Sequence, residues 1–278
     1  MIDGSPATGY FICGRTSYNN ILIGKVDSLG NPAWIKKIDI PGQSLIPYDM
    51  LCTDTGNLYV IASKDSGTAS SQRTIIFCFD SLGNVVFSKQ FINSNGANSS
   101  NIPCNIIKDG SNLIFTTRNV LKTSIVKIDQ TGNQILSKYI LGNFYHGIVK
   151  IDNGYLLFSD SDEITRFDTS LNYLGTKFAG ALEWYNVNGI IQLSSGSLLL
   201  YGGNDFVGYI QKVDAQGDFQ WTKEYNLSSN SGSCIGFFHS AHQTGPNTVL
   251  LYSQPENCSL NPNPVIVEID TAGLVLTA

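Results

Sequence analysis

The side chains best suited to chemistry are few in this sequence and form no recognised catalytic motif. The histidines are His146, His239 and His242, and the last two have the H-x-x-H spacing of paired metal ligands on a helix. The segment around them, GFFHSAHQTG, is predicted to enter a strand, in which residues three apart point to opposite sides. No nucleophile elbow, phosphate-binding loop or zinc-type cysteine pairing is present. The sequence therefore predicts no metal and no cofactor.

Carboxylates are more numerous, but only one group of them stands out. The segment DSDE, residues 160–163, brings together Asp160, Asp162 and Glu163 without the ligand spacing of a calcium loop. It is predicted to be a solvated turn. A glycosidase-like pair of carboxylates from distant parts of the chain stays possible, so an enzyme is the alternative and not the preferred class.

Composition and charge narrow the range of partners. Charged residues make up only 14% of the chain, the net charge is −5, and Lys36-Lys37 is the only adjacent basic pair. A nucleic-acid-binding protein concentrates Lys and Arg on one face, so nucleic acid is not expected as a partner. No apolar run approaches the roughly 18 residues of a membrane helix, which predicts no membrane insertion. The N-terminus lacks the pattern of a signal peptide.

One phrase recurs six times, as in FDSLGNVVFSK at 79–89 and IDQTGNQILSK at 128–138. Its aspartates are Asp27, Asp80, Asp129, Asp168, Asp214 and Asp270, spaced 39 to 56 residues apart. Ile stands four positions before every Asp, and Gly stands three after it in all repeats except the fourth, which has Leu171. Lys stands nine after the Asp in the first five repeats: Lys36, Lys89, Lys138, Lys177 and Lys223. A period of this length is typical of a propeller blade.

The chemistry of the phrase is that of a tight hairpin. β-branched and aromatic residues before the Asp favour a strand, and the Asp side chain can bond the backbone two residues on. The Gly supplies the positive φ that a type I turn with a bulge requires. In the fourth repeat we expect Asn172, which follows Leu171, to take this left-handed position.

Two further strands precede each hairpin. The second strand of each unit is an uninterrupted apolar run, such as NLYVIAS or GYLLFS, which predicts burial on both faces. The sequence therefore predicts an all-β fold, a six-bladed β-propeller of four-stranded antiparallel blades in one domain, 1–278. The blades are placed at about 1–40, 41–92, 93–141, 142–179, 180–226 and 227–278. Only residues 1–3 precede the GSPATG turn, so the first blade is expected to be incomplete, with about three strands.

The repeat resembles those of β-propeller proteins that bacteria secrete or carry on their surface, and is distantly similar to quinoprotein-type repeats. In the quinoprotein pattern a Trp docks blade to blade; here only Trp34 and Trp221 occupy that slot, so no redox cofactor is expected. The resemblance implies a binding or adhesion module at an extracellular or cell-surface location, with a cytoplasmic location as the alternative.

The loops between blades carry most of the candidate site. In a propeller they cluster on one face around the axial channel, and aromatic residues are enriched at binding surfaces. The predicted ligand-binding residues are Tyr48, Tyr145, His146, Trp184, Tyr185, Phe237, Phe238 and His239. The alternative is that these aromatics only roof the blade ends. The sequence favours a non-catalytic module that binds a glycan or protein, over a carboxylate-based hydrolase or lyase that acts on a polysaccharide at the channel mouth.

The six cysteines are predicted to be mostly structural. Cys13 and Cys78 fall inside predicted strands, where Cys behaves as a small hydrophobic residue. Cys234 and Cys258 fall in two loops expected on the same face of the sixth blade. If the protein is exported, this pair could form the one disulfide.

Overall fold

The computed structural model describes residues 2–5, 9–16, 19–65, 72–91, 101–119, 121–142, 145–159, 163–178, 186–203, 207–226, 238–253 and 265–277. These residues form six four-stranded antiparallel sheets and no α-helix. The fold is the six-bladed β-propeller predicted from the repeats, and each sheet is one blade. By their packing the residues fall into two compact units, 1–144 and 145–278.

The first unit contains the first three sheets. The first sheet is β1 (Ile2–Ser5), β2 (Gly9–Arg15), β3 (Ile21–Val26) and β4 (Pro32–Ile38). The second is β5 (Ser44–Cys52), β6 (Leu58–Asp65), β7 (Arg73–Phe79) and β8 (Val85–Phe91). The third is β9 (Ile102–Asp109), β10 (Asn112–Arg118), β11 (Lys122–Asp129) and β12 (Gln134–Leu141).

The second unit contains the other three sheets. The fourth is β13 (Tyr145–Ile151), β14 (Gly154–Ser159), β15 (Glu163–Phe167) and β16 (Tyr173–Phe178). The fifth is β17 (Asn186–Gln192), β18 (Leu198–Gly203), β19 (Val207–Val213) and β20 (Phe219–Asn226). The sixth is β21 (Phe238–Gly245), β22 (Thr248–Ser253), β23 (Val265–Asp270) and β24 (Val275–Thr277).

The expectation of an incomplete first blade is wrong. β1 pairs with β2 in a regular antiparallel register that runs from Ile2 opposite Ile12 to Ser5 opposite Gly9. Gly4 and Ser5, which the sequence analysis assigned to the GSPATG turn, are strand residues. Four residues are enough for this strand because it lies at the sheet edge and needs only one pairing partner.

Burial follows the predicted pattern most closely in the middle sheets of the chain. β6 and β14 are buried along most or all of their length, on both faces. In β2 and β22 buried residues alternate with partly buried ones. Within each unit, apolar side chains from neighbouring sheets form the core, as in the cluster of Phe11, Ile23, Leu45, Leu58 and Phe77.

The Asp of the repeat organises the turn between the third and fourth strands of each sheet. In the first sheet, Asp27 Oδ1 accepts from the backbone N–H groups of Leu29 and Asn31, each at 2.9 Å, and Asp27 Oδ2 accepts from Asn31 Nδ2 at 3.0 Å. The two backbone bonds recur in the other five turns. The predicted Asp-initiated turn is confirmed. We call this end of each sheet the turn end and the opposite end the loop end.

The expectation for the fourth turn is wrong in one respect. Leu171, and not Asn172, has the positive φ of 59°. The turn fixes this position because the N–H three residues after the Asp must reach its carbonyl, and Leu171 N donates to Asp168 O at 3.0 Å. The Leu171 side chain is 1% exposed, so its burial offsets the strained backbone. Asn172 instead caps the Asp168 carboxylate.

The rest of the phrase fastens one blade to the next. The Trp34 ring packs on Gly83 of the second sheet, its Nε1 donates to Ser81 O at 3.2 Å, and Lys36 Nζ donates to Asn84 Oδ1 at 3.2 Å. In the same way Phe87 covers Gly132, and Lys89 Nζ donates to Asn133 Oδ1 at 2.7 Å. In the second unit Trp221 covers Gly273. In these three pairs of sheets the phrase therefore has a structural role: one copy supplies an aromatic ring and a Lys as a latch, and the next copy supplies the glycine on which the ring packs. At Gly217 the residue in contact is Ile164 instead of a ring.

Candidate functional site

Two of the predicted aromatic residues are buried. Tyr145 is 2% exposed, and its hydroxyl lies 2.7 Å from Thr165 Oγ1, which in turn lies 2.8 Å from Thr176 Oγ1. Phe238 is fully buried and packs edge-to-face on Tyr225 with 5.6 Å between ring centroids. Both side chains support the blade ends from inside, which is the role that the roofing alternative gives them.

Three of the predicted residues, Trp184, Tyr185 and Phe237, lie outside the described residues. Asp160 and Asp162 of the acidic segment also lie outside them, as do Cys234 and Cys258. Predictions for these residues stay predictions.

The remaining predicted residues, Tyr48, His146 and His239, share a structural feature that the sequence did not reveal. Each is the extra residue of a β-bulge in the first strand of its sheet. In the second sheet, for example, Pro47 pairs with Ala62 and Asp49 with Ile61, so Tyr48 has no residue opposite it. The strand register shifts by one residue in the same way at three other positions, so the residue there also has no partner opposite it: His146, Asn188 and His239.

The third sheet has the same feature in a shifted form. Phe115 pairs with Ile106 and Thr117 with Pro103, so two residues, Cys104 and Asn105, oppose Thr116 alone. The first strands of the second to sixth sheets therefore each carry one extra residue in their loop-end half. β1, by contrast, pairs without interruption.

A bulge at a sheet edge redirects a side chain and is frequent next to binding and active sites. The redirected side chains vary in chemistry from sheet to sheet. From the second to the sixth sheet they are Tyr48, Cys104 with Asn105, His146, Asn188 and His239. The turn ends, in contrast, repeat nearly the same hydrogen bonds in every sheet. The bulged first strands are thus the chemically distinctive part of each blade, and within each unit we call them the bulge surface.

Polar side chains at the bulges also connect neighbouring first strands within a unit. In the first unit Asp49 Oδ2 accepts from Ile106 N at 2.9 Å, while Asp49 Oδ1 accepts from Met50 N at 2.8 Å. In the second unit Asn188 Nδ2 donates to Phe238 O at 3.0 Å. These bonds fix the bulged backbones against each other, so the surface that they form is preorganised.

In the first unit Tyr48 is half-buried. Burial raises the pKa of the Tyr48 phenol, while the Ser63 hydroxyl and the charges of Arg118 and Arg15 act in the opposite direction. Ser63 is fully buried.

In the second unit the bulge surface carries the two imidazoles. His239 lies near Tyr252, with 6.5 Å between ring centroids, and both His146 and His239 are partly exposed. His242 lies with His239 on β21, so the prediction of a strand for the H-x-x-H segment is confirmed. Among the described ranges no group of three or more His, Cys, Asp and Glu residues could hold a metal ion.

Sequence reasoning found Tyr48, His146 and His239 as aromatic loop residues but missed Cys104, Asn105 and Asn188. A bulge is an offset between two paired strands, and no residue type in the first strand announces it.

The described residues include no helix long and apolar enough to cross a membrane.

No family model and no curated protein sequence matches this chain. Solved structures do. A protein of unknown function from Bacteroides caccae has 13% identity and a TM-score of 0.65 over 98% of this chain and 93% of its own. Puromycin hydrolase has 11% identity and a TM-score of 0.59, and the match spans this whole chain but only 44% of the hydrolase. The Dos1 propeller has 11% identity and a TM-score of 0.57, over 90% of this chain and 63% of its own. At these identities the similarity shows the β-propeller fold alone.

Proposed function

We propose that this chain is a non-catalytic binding module that contacts a glycan or protein ligand through its bulge surface. The observation that carries the proposal is the recurrence of a bulge in the first strands of five sheets, with four kinds of side-chain set at the bulges: Tyr48, Cys104 with Asn105, Asn188, and the two histidines His146 and His239. A repeated scaffold with varied, redirected residues at one end is the usual arrangement of a binding surface on a rigid fold.

The alternative of a carboxylate-based hydrolase gains no support from the described residues of the bulge surface. The one carboxylate next to a bulge, Asp49, accepts two backbone hydrogen bonds, which hold it in a structural role. The similarity to puromycin hydrolase is a similarity of fold and does not transfer its reaction.

Trp184 lies outside the described residues, and we propose it as a binding hot spot. Its substitution by alanine should weaken ligand binding by about 2 kcal/mol.

A glycan array and a protein-ligand screen, run beside a hydrolase substrate screen, test the proposal. Tyr48→Ala should weaken binding of a ligand that contacts the first unit, and His146→Ala and His239→Ala should weaken binding of a ligand that contacts the second unit. Gln130→Ala is the matched control, because Gln130 is exposed at a turn end and the substitution keeps the backbone carbonyl that accepts a hydrogen bond from the Tyr59 hydroxyl. Equal loss from the control would place the ligand elsewhere, and turnover of a substrate would favour the hydrolase.

A further inference from the structure

Two turns of the first unit have the same five residues and the same internal geometry. The turn between β3 and β4 is DSLGN at 27–31, and the turn between β7 and β8 is DSLGN at 80–84. In each turn the Asp Oδ2 accepts from the Asn Nδ2 at 3.0 Å, and the glycines Gly30 and Gly83 have φ of +85° and +76°. We call residues 27–31 the first seat and residues 80–84 the second seat.

The second seat holds a latch from the first sheet. The Trp34 ring lies on Gly83, and a Cβ at that glycine would be 2.9 Å from the ring. Trp34 Nε1 donates to Ser81 O at 3.2 Å, and Lys36 Nζ donates to Asn84 Oδ1 at 3.2 Å. The second seat therefore binds a strand that carries an aromatic residue and, two positions later, a Lys.

The first seat offers the same groups and holds no latch from the described residues. No atom of the described ranges lies within 4 Å of the position that a Cβ of Gly30 would take. Within the same ranges, neither Ser28 O nor Asn31 Oδ1 accepts a hydrogen bond from another side chain. Gly30 is exposed, whereas the residue at its position is buried in each of the other five turns: Gly83, Gly132, Leu171, Gly217 and Gly273.

The sheet face beside the first seat is uncovered as well. Ile35 pairs with Gly24, and Leu22 stands two residues from Gly24 on the same strand, so Leu22 and Ile35 lie on one face. In the second sheet the equivalent face packs on the first sheet, which is the sheet that supplies the latch. Leu22 is 39% exposed, while its counterpart in the second sheet, Ile75, is 5% exposed. A strand docked on the first seat would therefore also bury apolar surface.

We infer that the first seat is a docking site for an extended segment of a partner protein, with an aromatic residue followed two positions later by Lys. The second seat specifies this chemistry, because a turn of the same sequence and geometry there binds these two groups. The ring supplies most of the buried area, and the ammonium group makes a charge-assisted hydrogen bond. The exposed Leu22 and Ile35 favour a protein over a glycan, since the centre of a protein interface is usually apolar. This contact goes beyond the ligand binding proposed above, because it lies at the turn end of the first sheet and not on the bulge surface.

The test is an NMR titration of the isotope-labelled full chain with the peptide NPAWIKKIDI, acetylated and amidated at its ends. This is the segment 31–40, which contains the latch that fits the second seat. Two control peptides have Ala in place of the Trp, or Gln in place of the Lys two positions later. The second seat of the same molecule is an internal control, because it has the same sequence but is covered by Trp34.

Two glycine variants of the chain separate the seat from general strain. Gly30→Ala places a methyl group where the ring must lie. Gly42→Ala is the matched control, because Gly42 has φ +71° and open space within the described structure but lies outside the seat. A third variant, Trp34→Ala, uncovers the second seat, which should then respond to the peptide as the first seat does. Thermal unfolding checks that each variant is folded.

We expect shifts of the backbone amide signals at 27–31 and none at 80–84 in the native chain. The dissociation constant should be on the order of 1 mM, since an isolated strand must be ordered when it binds. Loss of the Trp should weaken binding by about tenfold or more, and loss of the Lys by about threefold to tenfold. Gly30→Ala should weaken binding by at least about tenfold, and Gly42→Ala by less than about twofold.

The absence of shifts at 27–31 would overturn the inference, and so would an equal response to the peptide without Trp. Shifts confined to the bulged strands would place the peptide elsewhere and also overturn it. Self-association of the chain that Gly30→Ala abolishes, measured by analytical ultracentrifugation, would show that a second copy covers the seat instead of another protein. The ligand screens for the bulge surface are independent of these outcomes, so the proposed function and this inference can fail separately.

Discussion

The glycine seat of the blade-to-blade latch can be tested by adding a single methyl group. Gly132 has φ +78°, and a Cβ there would lie 2.7 Å from Phe87 Cε2 and 3.0 Å from Lys89 Cδ. The equivalent glycine of the first repeat, Gly30, has φ +85° and meets no atom of the described residues within 4 Å. The two positions belong to the same unit and have the same backbone conformation, so they differ mainly in the ring that covers them.

The two substitutions should therefore lower the free energy of unfolding by different amounts. Gly30→Ala should cost only the left-handed backbone of an L-residue, about 1–2 kcal/mol. Gly132→Ala should cost that amount plus the displacement of a packed ring, typically about 1–3 kcal/mol more. In a Phe87→Ala background the extra penalty should disappear, because the Gly132 methyl group then has space.

The assay is urea unfolding of the four variants and the wild type, with the slope of the transition used to check that the unfolded states are comparable. Equal costs at Gly30 and Gly132 would refute the latch, since the repeated Gly would then serve the turn alone. The same conclusion would follow if the penalty at Gly132 persisted without the Phe87 ring.

Three further predictions concern stability and redox state. The hydrogen bond from the Thr131 hydroxyl, with others from the same turn, lowers the pKa of Asp129 from 3.8 to about 2. The stability that Asp129 contributes is therefore present above about pH 4 and lost as the pH falls towards 2, so Asp129→Asn should destabilise the protein at pH 7 but not at pH 2 in urea titrations. Gly154→Ala should lower the free energy of unfolding by about 3 kcal/mol or more, because the added Cβ would lie 1.9 Å from the Phe167 carbonyl oxygen. Gly175→Ala, with nearly the same φ but open space around the Cβ, should lower it by about 1–2 kcal/mol. Equal shifts of the melting temperature in the two variants would contradict this prediction. If the chain is exported, Cys234 and Cys258 should form a disulfide worth roughly 3 kcal/mol, and thiol counting on denatured, unreduced protein should give four thiols, whereas six would exclude the bridge.

The architecture could be predicted from the sequence because its determinants are local and repeated. The Asp, Gly and hydrophobic positions of the phrase fix one turn and its two strands, and six copies fix the period. The same reasoning failed at Leu171, where the geometry of the turn dictated the backbone and burial compensated for an unfavourable residue. It failed at β1 because a four-residue edge strand carries too little pattern to distinguish it from a turn.

The candidate site could be predicted only in part. Tyr48, His146 and His239 were found because aromatic and imidazole side chains are recognisable by type. Tyr145 and Phe238 have the same residue types but are buried, and burial depends on packing between sheets that no local pattern encodes. The bulges arise from the register between paired strands, which the residue types do not encode, so the structure was needed to find them.

The central claim is that ligands contact the bulge surface and not the repeated turns. Hydrogen–deuterium exchange of the full chain, with and without the first ligand from the screens, measures this without any substitution. We predict slower exchange on ligand binding in the loop-end halves of the bulged first strands, around residues 46–50 and 103–106 for a ligand that contacts the first unit. Protection confined to the turns at 80–84 and 129–133, with no change at the bulges, would contradict the account.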